Sequence, residues 1–163
     1  MDKKNRITFF SEADTATFAR ALAPILGAGD TILLAGPVGA GKTLFARALI
    51  QARLRAVGRI EDVPSPTFTL VQTYDDGKVE IWHADLYRLN GPGDVIELGL
   101  DEAFETAICL VEWPDRLGSF SPSDALTLTF LTGSCDTVRE VEATGPSPWH
   151  TRLADIQDLI LAN

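Results

Sequence analysis

The eight residues Gly36-Pro37-Val38-Gly39-Ala40-Gly41-Lys42-Thr43 constrain this chain more than any other feature. They match G-x-x-x-x-G-K-[ST] in full, and their flanks match as well. The apolar run TILLA, Thr31–Ala35, reads as a strand buried on both faces. From Lys42 to about Ala56 the pattern is helical, with Phe45, Ala48, Leu49 and Ala52 on one side. A strand, a glycine-rich turn and a helix in that order gather backbone N–H groups around a phosphate, and the helix N-terminus adds partial positive charge. In such a loop Lys42 reaches the β- and γ-phosphates and Thr43 ligates Mg²⁺. Gly36, Gly39, Ala40, Gly41 and Leu44 complete the expected nucleotide-binding set. The ordinary alternative is a tight turn with a chance lysine, and eight matching positions with both flanks argue against it.

The rest of the chain alternates between strand and helix signals. RITFF reads as a short strand, and residues 11–26 as a helix with Ser11 as N-cap and Asp14 three residues on. PTFTLVQTY and KVEIWHAD alternate with period two, and DDG between them signals a hairpin turn. A helical stretch follows from Asp94 to Glu105, then a buried strand, AICLVEW, stopped by Pro114. ALTLTFL and VREVEAT read as a second strand pair. The last segment is an amphipathic helix carrying Leu153, Ile156 and Ile160. Arg53 and Arg55 fall near the C-terminus of the phosphate-loop helix, where the helix dipole and solvent suit them. The fold class expected is α/β: a P-loop NTPase with a central mixed sheet flanked by helices and an antiparallel hairpin after the loop helix. Residues 1–163 are expected to form a single domain, since about 150 residues is the usual domain size.

Charge and cysteines narrow the classes further. The formal net charge is −9, with only four lysines, which argues against autonomous binding to nucleic acid. No apolar run reaches the ~18 residues of a membrane helix, and the N-terminal segment carries no export signal. Cys109 lies inside an apolar run and Cys135 far from it, with no metal-ligand spacing, so free thiols and a reducing, cytoplasmic setting are expected.

A phosphate loop needs an acid for the metal. Asp85 and Glu112 end two expected strands, at the edge where α/β proteins bind ligands. One of them is expected to hold Mg²⁺ or its water shell, and the other to orient the attacking water. Either could instead cap a strand or pair with Arg88 or Arg116. In VPSPTFTL, Pro64 and Pro66 stiffen the chain, and Thr67 or Ser65 could carry a hydroxyl to the metal and γ-phosphate, as switch loops do. A rigid strand entry explains that segment equally well. His83 shares strand parity with Ile81 and Asp85, and is either a satisfied core histidine or an orienter of Asp85 or a water. Arg88 and Arg116 are candidate charge stabilisers or ordinary ion-pair residues. Trp113 either packs on the nucleotide or a partner, or fills core beside Pro114.

No N-K-x-D guanine-reading segment exists, because no lysine follows Lys78, so ATP is favoured over GTP. A small-molecule P-loop kinase is the rival enzyme class, weakened by the short chain after Glu112 and the lack of an arginine-rich lid. A regulatory module that holds ATP and barely hydrolyses it is the third.

The set GAGKT, SPTFTL, HADLYR, ELGLDE and VEWPDR, in this order, resembles the bacterial TsaE family, the ATPase subunits of tRNA threonylcarbamoyladenosine biosynthesis. The resemblance runs from the phosphate loop to about Arg116. It implies a compact ATPase, weak alone and gated by a heterodimer of the TsaD and TsaB families. The TsaD-type subunit transfers the threonylcarbamoyl group to adenosine 37, so tRNA is contacted only indirectly, and ATP use resets the complex between turnovers. Carried over, Lys42 binds phosphate, Thr43 binds Mg²⁺, Asp85 and Glu112 serve metal and hydrolysis, the SPTF segment acts like a switch, and Trp113 lies by the nucleotide. The family commonly has an acid where this chain has Pro37, which leaves phosphate binding intact but removes any role of that acid.

Overall fold

The computed structural model describes residues 3–132 and 137–161, so Cys135 lies outside the described residues. In chain order the elements are β1 (Lys3–Phe9), α1 (Glu12–Leu22), β2 (Thr31–Ala35), α2 (Lys42–Arg55), β3 (Val71–Asp75) and β4 (Glu80–Asp85). Next come α3 (Gly93–Leu98), α4 (Leu100–Thr106), β5 (Ile108–Glu112), β6 (Leu126–Thr132), β7 (Arg139–Gly145) and α5 (Ser147–Leu161). The strands form one seven-stranded sheet in the order β1-β7-β6-β2-β5-β4-β3. Its centre, β6-β2-β5-β4, is parallel. Antiparallel strands complete it, β3 on one side and β7 with β1 on the other. This is the mixed sheet expected from the sequence.

Period-two alternation decides which residues face which helices. On β2, Ile32 and Leu34 join Phe18, Leu22, Phe45, Leu49 and Trp149 in the cluster under α1, α2 and α5. Leu33, one residue out of phase, joins Val95, Leu100 and Val111 in the cluster under α3 and α4. β5 is buried along its whole length, as its unbroken apolar run requires. The Asp85 and Glu112 positions are register partners at the C-terminal ends of β4 and β5, on the α2 side of the sheet.

Four local expectations are corrected. The segment 66–70 is not strand: β3 begins only at Val71, because the Leu70 N–H bonds back to Pro66 O at 2.8 Å and Leu70 adopts φ 67°. The helix expected over 94–105 is two helices, broken at Gly99, whose φ of 82° ends α3. The first helix stops at Leu22 and tightens into a 3₁₀ turn over Ala23–Ile25, where Pro24 cannot continue the α ladder. Finally, Arg53 is not a solvated end charge. It donates to Asp76 Oδ2 at 2.6 and 2.9 Å and to the carbonyls of Ala23 and Leu26 at 2.7 and 2.9 Å, tying α2 to the hairpin turn. Ser11 caps α1 as expected, its Oγ accepting the Asp14 N–H, while Asp14 Oδ2 accepts from Phe10 rather than from Ser11. Cys109 is fully buried, and burial pushes its thiol up to about 12, which leaves it a poor nucleophile.

Candidate functional site

The loop between β2 and α2 can take its shape only with glycine at its base. Gly36 has φ +133°, and a Cβ there would lie 2.5 Å from the Phe130 carbonyl oxygen. Gly41, φ +110°, ends the turn, and the Phe45 N–H to Gly41 O bond of 3.0 Å opens α2. The N–H groups of the first helical turn have no partner within the helix, and Lys42, Thr43 and Leu44, which carry them, line a cleft. Lys42 is 4% exposed, its Nζ donating to Gly36 O at 2.6 Å and lying 3.5 Å from the centre of the Trp113 ring. Burial pushes the Lys42 ammonium below the usual lysine range, against the opposing pull of Glu112, Asp85 and Asp115. An anionic phosphate would relieve that penalty.

Thr43 Oγ1 donates to Glu112, with Oε1 at 2.9 Å and Oε2 at 3.1 Å. Glu112 is 2% exposed, and its Oε2 also meets His83 Nε2 at 2.7 Å. His83 is thus a core histidine bonded to an acid, as one reading of the sequence had it, and the acid it meets is Glu112 rather than Asp85. Asp85 instead accepts the Tyr87 N–H on Oδ1 at 3.1 Å, and its own N–H donates to Leu70 O at 2.8 Å. The segment 66–70 is thus bonded directly to the backbone of Asp85. At the start of that segment the hydroxyls of Thr67 and of Ser65, just before it, are 2.7 Å apart.

A cleft of about 460 Å³ brings together Gly39, Gly41, Lys42, Thr43 and Leu44 from the loop and helix. Asp85, Glu112, Trp113 and Thr67 also line it. Two expected residues are not brought in. Gly36 sits at the loop base behind Lys42, and the methyl of Ala40 turns to the core. Ala40 also borders a neighbouring cleft of about 410 Å³ with Phe10 and Ser11. Arg88 lines the main cleft but its guanidinium lies 4.8 Å over the exposed Phe68 ring, and the exposed Arg116 does not line the cleft. Trp113 packs against the edge of the core cluster under α3 and α4 and also faces the loop: it adopts φ 60°, lies 5.0 Å from Tyr87 and shields Lys42. Sequence reasoning did not give Tyr87 this place, although its position two residues after Asp85 puts it just past the strand end.

Size does not single out this cleft, since one of about 480 Å³ lies between the hairpin and α4, beside Glu80, Trp82 and Glu102. Chemistry does. Among the described residues only the loop cleft combines a helix N-terminus, a buried lysine and hard oxygen donors. A hydroxyl and one or two carboxylates suit magnesium, which keeps several waters and shares its remaining positions with phosphate oxygens. Among the described residues no group of three or more His, Cys, Asp or Glu could form an all-protein metal cage. The donor set of Thr43, Glu112 and Asp85 therefore fits a metal that arrives with a nucleotide. No helix among the described residues is long and apolar enough to cross a membrane.

Comparison with known proteins agrees with this geometry. The family model described as "Threonylcarbamoyl adenosine biosynthesis protein TsaE" matches residues 9–141. A relative from Rickettsia bellii, named tRNA threonylcarbamoyladenosine biosynthesis protein TsaE, is 40% identical over 69% of this chain and 76% of its own length. A protein of the same name from Nostoc sp. is 32% identical over 96% of this chain and 93% of its own. The crystal structure of Bacillus subtilus YdiB superposes with a TM-score of 0.78 at 27% identity, covering 97% of both chains. Phosphate loop, strand-end acids and these matches lead to one conclusion, that this chain belongs to the TsaE family.

Proposed function

We propose that the protein binds Mg²⁺ and ATP in the loop cleft and hydrolyses ATP slowly, in support of tRNA threonylcarbamoyladenosine biosynthesis. The observation that carries this reading is the Thr43–Glu112 contact, 2.9 Å, which joins the phosphate loop to a strand-end acid in one cleft. Backbone N–H groups of Gly39 and of Gly41 to Leu44 hold the phosphates, and Lys42 leaves Gly36 O to meet the β- and γ-phosphate oxygens. Thr43 and Glu112 hold the metal, which when bound neutralises charge developing on the phosphate oxygens. Asp85 orients the attacking water, fixed in turn by the Tyr87 N–H. Thr67 approaches from the 66–70 segment, and Trp113 lies beside the nucleotide.

Residues 1–163 act as one ATPase domain in the cytoplasm, without membrane contact. The partner is a heterodimer of the TsaD and TsaB families, which carries the tRNA and performs the transfer. A net charge of −9 suits a subunit that leaves the polyanion to others.

Lys42 provides the test of the nucleotide reading. Lys42→Ala is expected to weaken ATP binding roughly 10–100-fold, the worth of a charged hydrogen-bonding group at 1.5–3 kcal/mol. Calorimetric titration of ATP measures it. Unchanged affinity would remove phosphate binding from this loop.

A further inference from the structure

His83 is fully buried, yet nothing in the core requires a polar side chain there. It lies on β4 opposite Leu110 of β5, on the same face as Ile81 and Asp85. Its Nε2 meets Glu112 Oε2 at 2.7 Å, while Nδ1 is buried with no partner among the described residues. An ionised carboxylate can only accept, so in this contact Nε2 carries the hydrogen and donates. An apolar side chain of the same volume would avoid burying that dry nitrogen. The one thing the imidazole supplies is a fixed donor to Glu112.

The same carboxylate also receives the Thr43 hydroxyl. Thr43 must turn toward the phosphates and metal when a nucleotide enters, and Glu112 then loses that restraint. His83 comes from β4 within the parallel core of the sheet and is not part of the phosphate loop or α2. We propose that His83 is a positioning residue: its Nε2–H holds Oε2 so that the Glu112 carboxylate keeps one orientation toward a divalent cation bound with ATP. This inference rests on the Mg²⁺–ATP reading of the cleft. Outer-shell donors to ligating carboxylates of this kind are worth 10–100-fold in metal affinity.

The experiment compares ATP binding with MgCl₂ and with EDTA, by calorimetry, for wild type, His83→Leu and His83→Gln. Wild type is expected to bind ATP more tightly with Mg²⁺. His83→Leu is expected to shrink that gain by about 10–100-fold and leave binding in EDTA unchanged. His83→Gln, whose side-chain amide reaches about as far as Nε2, is expected to restore most of the gain. A purely structural role would weaken both conditions together and would not be rescued selectively. If His83→Leu keeps the full Mg²⁺ gain, the positioning role falls while the site reading stands. Absence of any gain in wild type would bring down the metal-site reading and this inference with it. His83→Phe serves if the leucine variant does not fold. The ¹⁵N spectrum of histidine in the wild-type protein gives an independent check. The Nε2–H tautomer is expected, and the Nδ1–H tautomer would overturn the assignment.

Discussion

Replacing Glu112 by glutamine is expected to slow ATP turnover roughly 10²–10³-fold and to remove most of the Mg²⁺-dependent gain in ATP affinity, while leaving ATP binding in EDTA nearly unchanged. Glutamine keeps the volume and can still accept from His83 Nε2–H through its carbonyl oxygen. What disappears is the negative charge, and with it the hard ligand beside Thr43. Binding in EDTA rests mainly on the loop N–H groups and Lys42, which this substitution does not touch. Asp85→Asn is expected to show the same separation, because its backbone bond from Tyr87 survives on the remaining carbonyl oxygen. Turnover and nucleotide titration on the same preparations decide it. An equal loss of binding in EDTA and of turnover in both variants would count against a hydrolytic role for these acids.

Arg53→Ala is expected to destabilise the protein by about 3–5 kcal/mol, the usual cost of leaving one half of a buried ion pair alone. In a chain of this size that lowers the melting temperature by roughly 6–20 °C. The pair is well enclosed, at 12% and 5% side-chain exposure, and Arg53 also satisfies two carbonyls at the end of the first helical unit. The Asp76 carboxyl reports the same network. Burial alone would raise it, but N–H bonds from Val79 and Lys78 and the Arg53 guanidinium outweigh burial and hold it below 3.8. A depressed folded-state value means that the stabilisation is complete above the unfolded value. It is lost as pH falls through the folded one. The stability difference between wild type and Asp76→Asn is therefore expected to be constant near neutrality and to shrink below about pH 4. Melting curves across that range check the sign, and a difference that grows in acid would refute the assignment.

The phosphate loop was legible because its chemistry is backbone chemistry: glycines where φ is positive, a lysine and a threonine at the helix start, and a buried strand before it. Asp85 and Glu112 were legible because apolar runs end at them. Pairing across the sheet was not. That β4 lies beside β5 in parallel, with Asp85 opposite Glu112, is a long-range register that local pattern does not specify. Given that register, period two places His83 and Glu112 on one face, and without it the sequence left His83 between a satisfied core histidine and an orienter of Asp85 or a water. Arg53 was misread for a similar reason, since its partner, Asp76, comes from a hairpin turn brought under α2 only by the fold. Residues 66–70 alternate like a strand, yet the Pro66–Leu70 backbone bond and the positive φ of Leu70 override that pattern. Trp113 illustrates both sides. Its closeness to Pro114 marked the end of a strand, but its packing over Lys42 depends on two segments about 70 residues apart.

The most direct measurement is ADP release from ATP and Mg²⁺, by this protein alone and with a heterodimer of the TsaD and TsaB families added. Slow turnover alone, clearly stimulated by the heterodimer, is the predicted result. Turnover that ignores the heterodimer and rises only with a small phosphate acceptor would contradict the account and make the protein a kinase.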